Sequence, residues 1–204
     1  MRFIEPEGRS VAYVIVIFVL ILLYFGCYIV GAIFLLSILP LWLFFCSSKI
    51  ITPSMPNAIV APISGIIKEI EVSQNEIKFH ISPRFNGRIY SPNDLQNIHI
   101  THTFGFFNFG FNDFTKMLNA RDILSATSNL DGVTLNVEMY LTPYIFRFCG
   151  LKFSGKNALF LEKIGFLNLG VLTLSVKGKN LQSLARANDK IVGGNTALVV
   201  VKKD

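Results

Sequence analysis

Three histidines, three cysteines and a scatter of serines are the side chains in this chain that could ligate a metal, attack a carbonyl or move a proton. His80, His99 and His102 fit no metal-ligand spacing, and the polar faces of strands account for them; His99 and His102 alone are near enough in sequence to meet one ion. No Gly-rich phosphate loop, nucleophile elbow or HExxH motif occurs. Cys27 and Cys46 fall inside an apolar stretch, which leaves Cys149 alone in the rest of the chain. That excludes a disulfide framework and fits a reducing, cytoplasm-facing domain.

The elements that would position these residues are of two kinds. From Ser10 to Ser48 there are 39 consecutive residues without Asp, Glu, Lys, Arg or His. One helix over Val11–Cys46 would be about 54 Å long, against a hydrocarbon core of ~30 Å. Gly26 and Gly31 lie mid-stretch beside Tyr24 and Tyr28, and Trp42 and Phe44–Phe45 suit an interface. The reading is a transmembrane helical hairpin with arms near 11–25 and 30–46. Arg2, Arg9 and Lys49 flank it, so the positive-inside rule expects both ends in the cytoplasm. A signal peptide would be shorter and would end in small residues.

Beyond a proline-bearing segment, Ile51–Pro62, read as an extended linker, period-two alternation dominates. Ile77, Phe79 and Ile81 alternate with Lys78 and His80; Leu135, Val137, Met139 and Leu141 with Asn136, Glu138 and Tyr140; Leu172, Leu174 and Val176 with Thr173 and Ser175. Only Asn112–Leu124 offers a modest helical pattern. The expected fold is mainly β, a sandwich or barrel over 49–204 behind a membrane hairpin over 1–48. The run Thr103–Phe114 carries six Phe and reads either as an interfacial loop or as core strands split by turns. Charge is uneven: Arg147–Asp204 has a net +7, residues 47–146 a net −1. A basic half beside an anchor suggests anionic lipid headgroups, the alternative being a merely solvated basic face. No nucleic-acid motif accompanies the charge, so nucleic acid is not an expected partner.

Read together, the motifs resemble those of the phosphatidylserine decarboxylase family, in its short membrane-anchored branch, over almost the whole chain. Glu7-Gly8 precedes the apolar stretch, and Phe44-Phe45, Lys49 and Pro53 follow it as in the family's linker. Val60-Ala61-Pro62-Ile63-Ser64-Gly65 is similar to the family's V-x-P-A-D-G, and Ser82-Pro83 with Ser91-Pro92 to its paired Ser-Pro segment. Gly105-Phe106-Phe107, Lys116 and Asn119-Ala120-Arg121 resemble G-x-F, K and N-E-R. Glu162 to Gly170 is similar to E-R-F-G-x-I-x-F-G, and Asn188-Asp189-Lys190-Ile191 with Gly194-Asn195-Thr196 to the terminal G-D-x-V-x-x-G-x-T. Asp189-Lys190-Ile191 also resembles the lysine-bearing hairpin of lipoyl and biotin carriers, but three residues read better as a surface turn.

The resemblance implies a self-processing carboxy-lyase. A Ser after Gly attacks the preceding carbonyl, the chain splits, and the Ser becomes a pyruvoyl group that binds the substrate amine; an Asp and a His assist. This chain departs at each of those positions. The Asp is Ser64, the His falls at Gly87, and the Ser after Gly170 is Val171. Valine has no nucleophilic atom, so no pyruvoyl cofactor can form there and no catalytic residue is assigned. Ser175 and the Gly194-Asn195-Thr196 site are the remaining nucleophile candidates. The expectation is a non-cleaved relative at a bacterial-type inner or plasma membrane, acting at phospholipid headgroups or on a protein partner. The alternatives are an active decarboxylase with a relocated nucleophile, producing phosphatidylethanolamine, and an unrelated membrane-anchored structural or carrier β-domain.

Overall fold

A computed structural model describes residues 6–26, 28–36, 57–84, 87–105, 119–143 and 150–202. The chain divides into two compact units, Met1–Lys49 and Ile50–Asp204. In the first, α1 (Pro6–Tyr24) and α2 (Tyr28–Leu36) are joined by a turn at Phe25–Gly26. Gly26 has φ +75, a conformation that glycine adopts without a Cβ penalty, and its N–H donates to Leu23 O. The helices pack where Gly31 lets Leu23 approach: a Cβ at 31 would sit 3.3 Å from Leu23 Cδ2. Val14, Ile17, Leu20, Ile29 and Ile33 are exposed nonetheless. Among the described residues no helix is long and apolar enough to cross a membrane. The expected second arm beyond Leu36, with Trp42 and Phe44–Phe45, lies outside the described residues, as do Lys49, Pro53, Pro56 and all three cysteines.

The second unit is mainly β. Seven antiparallel strands form one sheet in the order β12 (Lys190–Ile191), β2 (Gly65–Ser73), β3 (Glu76–Pro83), β10 (Gly170–Lys177), β7 (Val133–Pro143), β6 (Arg121–Leu130), β5 (Leu95–Thr103). The three alternating runs read in the sequence are β3, β7 and β10, at the centre of this sheet. Their apolar members point one way, and Phe79, Ile81, Val137, Met139, Leu172 and Leu174 are all fully buried. A tight turn at Asp131–Gly132 joins β6 to β7, with both residues at positive φ, as a two-residue hairpin matching the sheet twist requires.

Two three-stranded sheets close the core. One is β1 (Ile59–Val60), β13 (Ala197–Val201) and β11 (Leu181–Ser183); the other is β4 (Arg88–Tyr90), β9 (Lys163–Phe166) and β8 (Gly150–Leu151). β11 lies against β3, and β8 against β6 and β7. Ile59, Ile63, Ile89, Leu151, Ile164 and Val199 from these sheets and their flanks join the large sheet's apolar face in one cluster.

Two expectations need correcting. The helical pattern over Asn112–Leu124 fails at its described end, because Arg121–Leu124 open β6, where pairing with β7 buries Leu124. The linker reading of Ile51–Pro62 fails at its C-terminal half. Ala58–Pro62 are buried, and Val60 N–H and Pro62 O are hydrogen-bonded to Pro92 O and Tyr90 N–H. Pro62 lies in the core because its missing N–H leaves no donor to satisfy.

Candidate functional site

One end of the large sheet gathers the segments singled out in the sequence. β2, β6 and β10 begin there, and β3, β5 and β7 end there, with Gly65 paired to Pro83, Gly170 to Pro143 and Arg121 to Thr103. Antiparallel pairing therefore brings together residues more than 100 positions apart.

The three departures from the decarboxylase pattern sit in this region. Ser64 is half-buried; its Oγ accepts the Gly193 N–H at 2.9 Å, and its carbonyl accepts the Arg84 N–H at 3.0 Å. Gly193 is pressed so close that a Cβ would lie 2.9 Å from Ser64 N. Gly87 is buried, donates to Asn168 Oδ1 at 3.0 Å and accepts from Leu167 N–H at 2.6 Å. A Cβ at 87 would collide with Leu167 O, so this backbone has no room for an imidazole. Val171 follows Gly170 on β10, opposite Thr142 of β7, and a Cβ at Gly170 would collide with Thr142 O.

The segments that carry the resemblance are also bonded to one another. Ala61 N–H donates to Thr196 O, and Gly194 N–H to Ala61 O, both at 2.8 Å. Ser91 N–H donates to Glu162 O at 2.8 Å, and Tyr90 N–H to Pro62 O. The Val60–Gly65, Ser82–Pro92, Glu162–Gly170 and Asn188–Thr196 segments thus form one backbone network. Asn119, in a further such segment, is buried; Phe106, Phe107 and Lys116 lie outside the described residues. Lys190–Ile191, read as part of a surface turn, is strand β12, and Ile191 is buried.

Both alternative nucleophiles are held in local hydrogen bonds. Ser175 is fully buried in mid-β10 and donates to Glu76 Oε1 at 2.7 Å. Thr196 Oγ1 accepts the Val192 N–H at 2.9 Å, inside a turn that Thr196 N–H also closes on Val192 O.

A cleft of about 490 Å³ opens at the same sheet end, lined by His102, Phe104, Asp122, Pro143, Gly150 and Lys152 among others. His102 Nδ1 lies 2.7 Å from Asp122 Oδ1, and Asp122 Oδ2 accepts the Leu151 N–H at 2.8 Å. A Cβ at Gly150 would sit 2.6 Å from that oxygen, so glycine there admits the carboxylate. Asp122 orients the imidazole as a base-positioning carboxylate does, with the ring open to the cleft. The sequence gives no hint of this pair, because only the β5–β6 register aligns residues 20 apart.

The same register separates His99 from His102, the two histidines near enough in sequence to meet one ion. His99 stands opposite Ser125 on one face, and His102 opposite Asp122 on the other, as an odd spacing in a strand dictates. Among the described residues no group of three or more His, Cys, Asp or Glu side chains could hold a metal ion.

The polar face of the sheet carries a second set of contacts. His80 Nε2 lies 3.1 Å from Glu71 Oε1, and its Nδ1 lies 3.0 Å from Thr173 Oγ1. A carboxylate, an imidazole and a hydroxyl in line have the order of a nucleophilic triad, but flanking strands take up the backbone amides around Thr173 that an oxyanion would need. The bond from His80 holds the Glu71 carboxyl below the usual range. Lys177 Nζ donates to both oxygens of Glu138 at 2.8 and 2.9 Å, and Tyr140 Oη donates to Glu138 at 2.6 Å. These bonds lower the Glu138 carboxyl, raise the Lys177 ammonium and push the Tyr140 phenol up to about 12.

Compared with protein-family models, curated proteins and solved structures, the chain matches none of them.

Proposed function

We propose that this chain is a phosphatidylserine decarboxylase-related membrane protein that is neither cleaved nor catalytic, and that it acts at phospholipid headgroups. The observation that carries the reading is the sheet end. Segments resembling four of the family's motifs bond to one another, and Val171 and Gly87 occupy the positions to which the resemblance assigns a hydroxyl and an imidazole. Without a hydroxyl at 171 the N→O acyl shift has no starting atom. The bond between Gly170 and Val171 stays intact and no pyruvoyl group forms.

The N-terminal unit supports the membrane half of the reading. Its described helices expose Val14, Ile17, Leu20, Ile29 and Ile33, and apolar surface of that kind is costly in water and stable in hydrocarbon. In this proposal the uncharged stretch of 39 residues inserts as a hairpin with both chain ends in the cytoplasm.

Mass spectrometry of the purified full chain tests the proposal. A single species near 22.8 kDa that does not react with hydrazine reagents is the expected result. Two fragments, the smaller carrying a reactive ketone, would overturn it in favour of an active decarboxylase with a relocated nucleophile. Failure of the intact chain to float with lipid vesicles would remove its membrane half.

A further inference from the structure

The end of the large sheet that holds Ser64, Gly87 and Gly170 differs in surface chemistry from the opposite end. Six large apolar side chains are exposed among the described residues of the β-unit: Val72, Phe104, Leu159, Leu169, Leu184 and Val192. Three of them belong to this end by strand register. Phe104 follows Thr103, the last residue of β5; Leu169 precedes Gly170, the first of β10; Val192 follows Ile191, which pairs with Gly65. Phe104 is the most exposed of the three, at 79%.

Cations are interleaved with them. Arg84 leaves the end of β3 with its N–H on Ser64 O, Arg121 opens β6 opposite Thr103, Lys190 sits beside Ile66, and Lys152 lines the adjoining cleft. All four are exposed. Among the described residues the acidic groups next to these cations are Asp122, turned onto His102 and Leu151 N–H, and Asp189, which accepts the Arg186 N–H. Seven strands spaced about 4.8 Å apart make this end roughly 29 Å wide. The opposite end closes in polar two-residue turns, Gln74–Asn75 and Asp131–Gly132; its exposed large apolar side chains among the described residues include Val72 and Leu159, the latter next to the Ala158–Leu95 bridge at the start of β5.

Apolar side chains that can enter an acyl boundary, set among cations that can meet phosphate oxygens, are the chemistry of a surface that lies on an anionic bilayer. A protein partner would be expected to meet a polar rim of both signs, whereas the exposed charges among the described residues of this end are mostly positive. We infer that this sheet end is the face with which the β-unit docks on anionic lipid, with Phe104, Leu169 and Val192 entering the interface and Arg84, Arg121, Lys152 and Lys190 contacting headgroups. The inference rests on the membrane reading proposed above and adds to it which surface faces the lipid and which lipid charge it selects.

The test uses the full chain with Cys27, Cys46 and Cys149 replaced by alanine and one new cysteine carrying an environment-sensitive fluorophore. The label is placed at Val192 in one variant and at Asn75, at the opposite end, in another. Both proteins are reconstituted into vesicles of phosphatidylcholine alone and of phosphatidylcholine with phosphatidylglycerol. The expected result is a blue shift at 192 only, only with phosphatidylglycerol, and lost when salt is raised from 0.1 M to about 1 M, where the Debye length falls to ~3 Å. Adding Arg84→Glu and Lys190→Glu should abolish that shift without moving the label at 75. A shift at both positions, at neither, or equally in neutral vesicles overturns the inference while the protein still floats with the vesicles. Failure to float overturns the membrane reading itself.

Discussion

At the scale of single residues, Val171 and Gly87 separate what this fold could accept from what the decarboxylase reaction needs. Val171 is half-buried on β10, and a serine fits its volume, so Val171→Ser should fold. It should not process, because position 87 still lacks an imidazole and position 64 a carboxylate; an intact mass of the purified variant checks this. Gly87→His is a different case. Its Cβ would meet the Leu167 carbonyl, and the variant should lose on the order of 3 kcal/mol, read as a lower denaturant midpoint. Restoring the family's residues one at a time is therefore expected to give an unprocessed chain or an unstable one.

Another residue-scale prediction concerns Glu138, Lys177 and Tyr140. The Glu138 carboxyl titrates lower in the folded chain than in the unfolded one, so its contribution is present above the unfolded carboxylate range and is lost as pH falls through the folded value. Lys177 and Tyr140 titrate higher when folded, so theirs are complete below the unfolded values of 10.5 and 10.0 and are lost as pH rises, for Tyr140 towards about 12. Thermal midpoints across pH should form a plateau that declines at both extremes. Tyr140→Phe should lower the plateau by about 1 kcal/mol and weaken the alkaline decline. The contribution of Lys177 is smaller than its short distances suggest, because its side chain is 39% exposed and solvent screens the pair.

At the scale of elements, the β6–β7 hairpin gives the cleanest test of how sequence sets register. Asp131–Gly132 has φ +51 and +82, and a Cβ at 132 would meet nothing within 4 Å. Gly132→Ala therefore carries a backbone penalty alone, about 1 kcal/mol, measurable as a shift in denaturant midpoint with an unchanged slope. Strand β7 was legible as a strand because its apolar residues Leu135, Val137, Met139 and Leu141 recur at every second position. Strand β6 was harder to read. Its N-terminal residues have a modest helical period, and pairing with β7 on one side and β5 on the other overrides it. β1 was missed because the prolines around it signal a linker, and a two-residue strand carries no period to oppose that signal.

For the whole molecule, two compact units share one chain. The described helices of the first expose Val14, Ile17, Leu20, Ile29 and Ile33, and the β-unit has an ordinary buried core with a polar face. The full chain should float with vesicles of any charge through the first unit and resist alkaline extraction. Deleting residues 1–48 should make what remains of flotation dependent on anionic lipid and sensitive to salt. Flotation at graded phosphatidylglycerol content and ionic strength distinguishes the two contributions.

The uncharged N-terminal stretch, the three central strands with their buried and polar faces, and the absence of a hydroxyl from residue 171 are all readable in the amino-acid order. Each is a local property: composition, a period of two, or the identity of one side chain. That Ser64, Gly87 and Gly170 share a sheet end, that His102 pairs with Asp122 while His99 faces the other way, and that position 87 has no space for a histidine follow from the folded chain alone. Those facts depend on strand register and on close backbone approach between distant segments. Register follows from the summed burial of a whole apolar face, so no short window of sequence contains it.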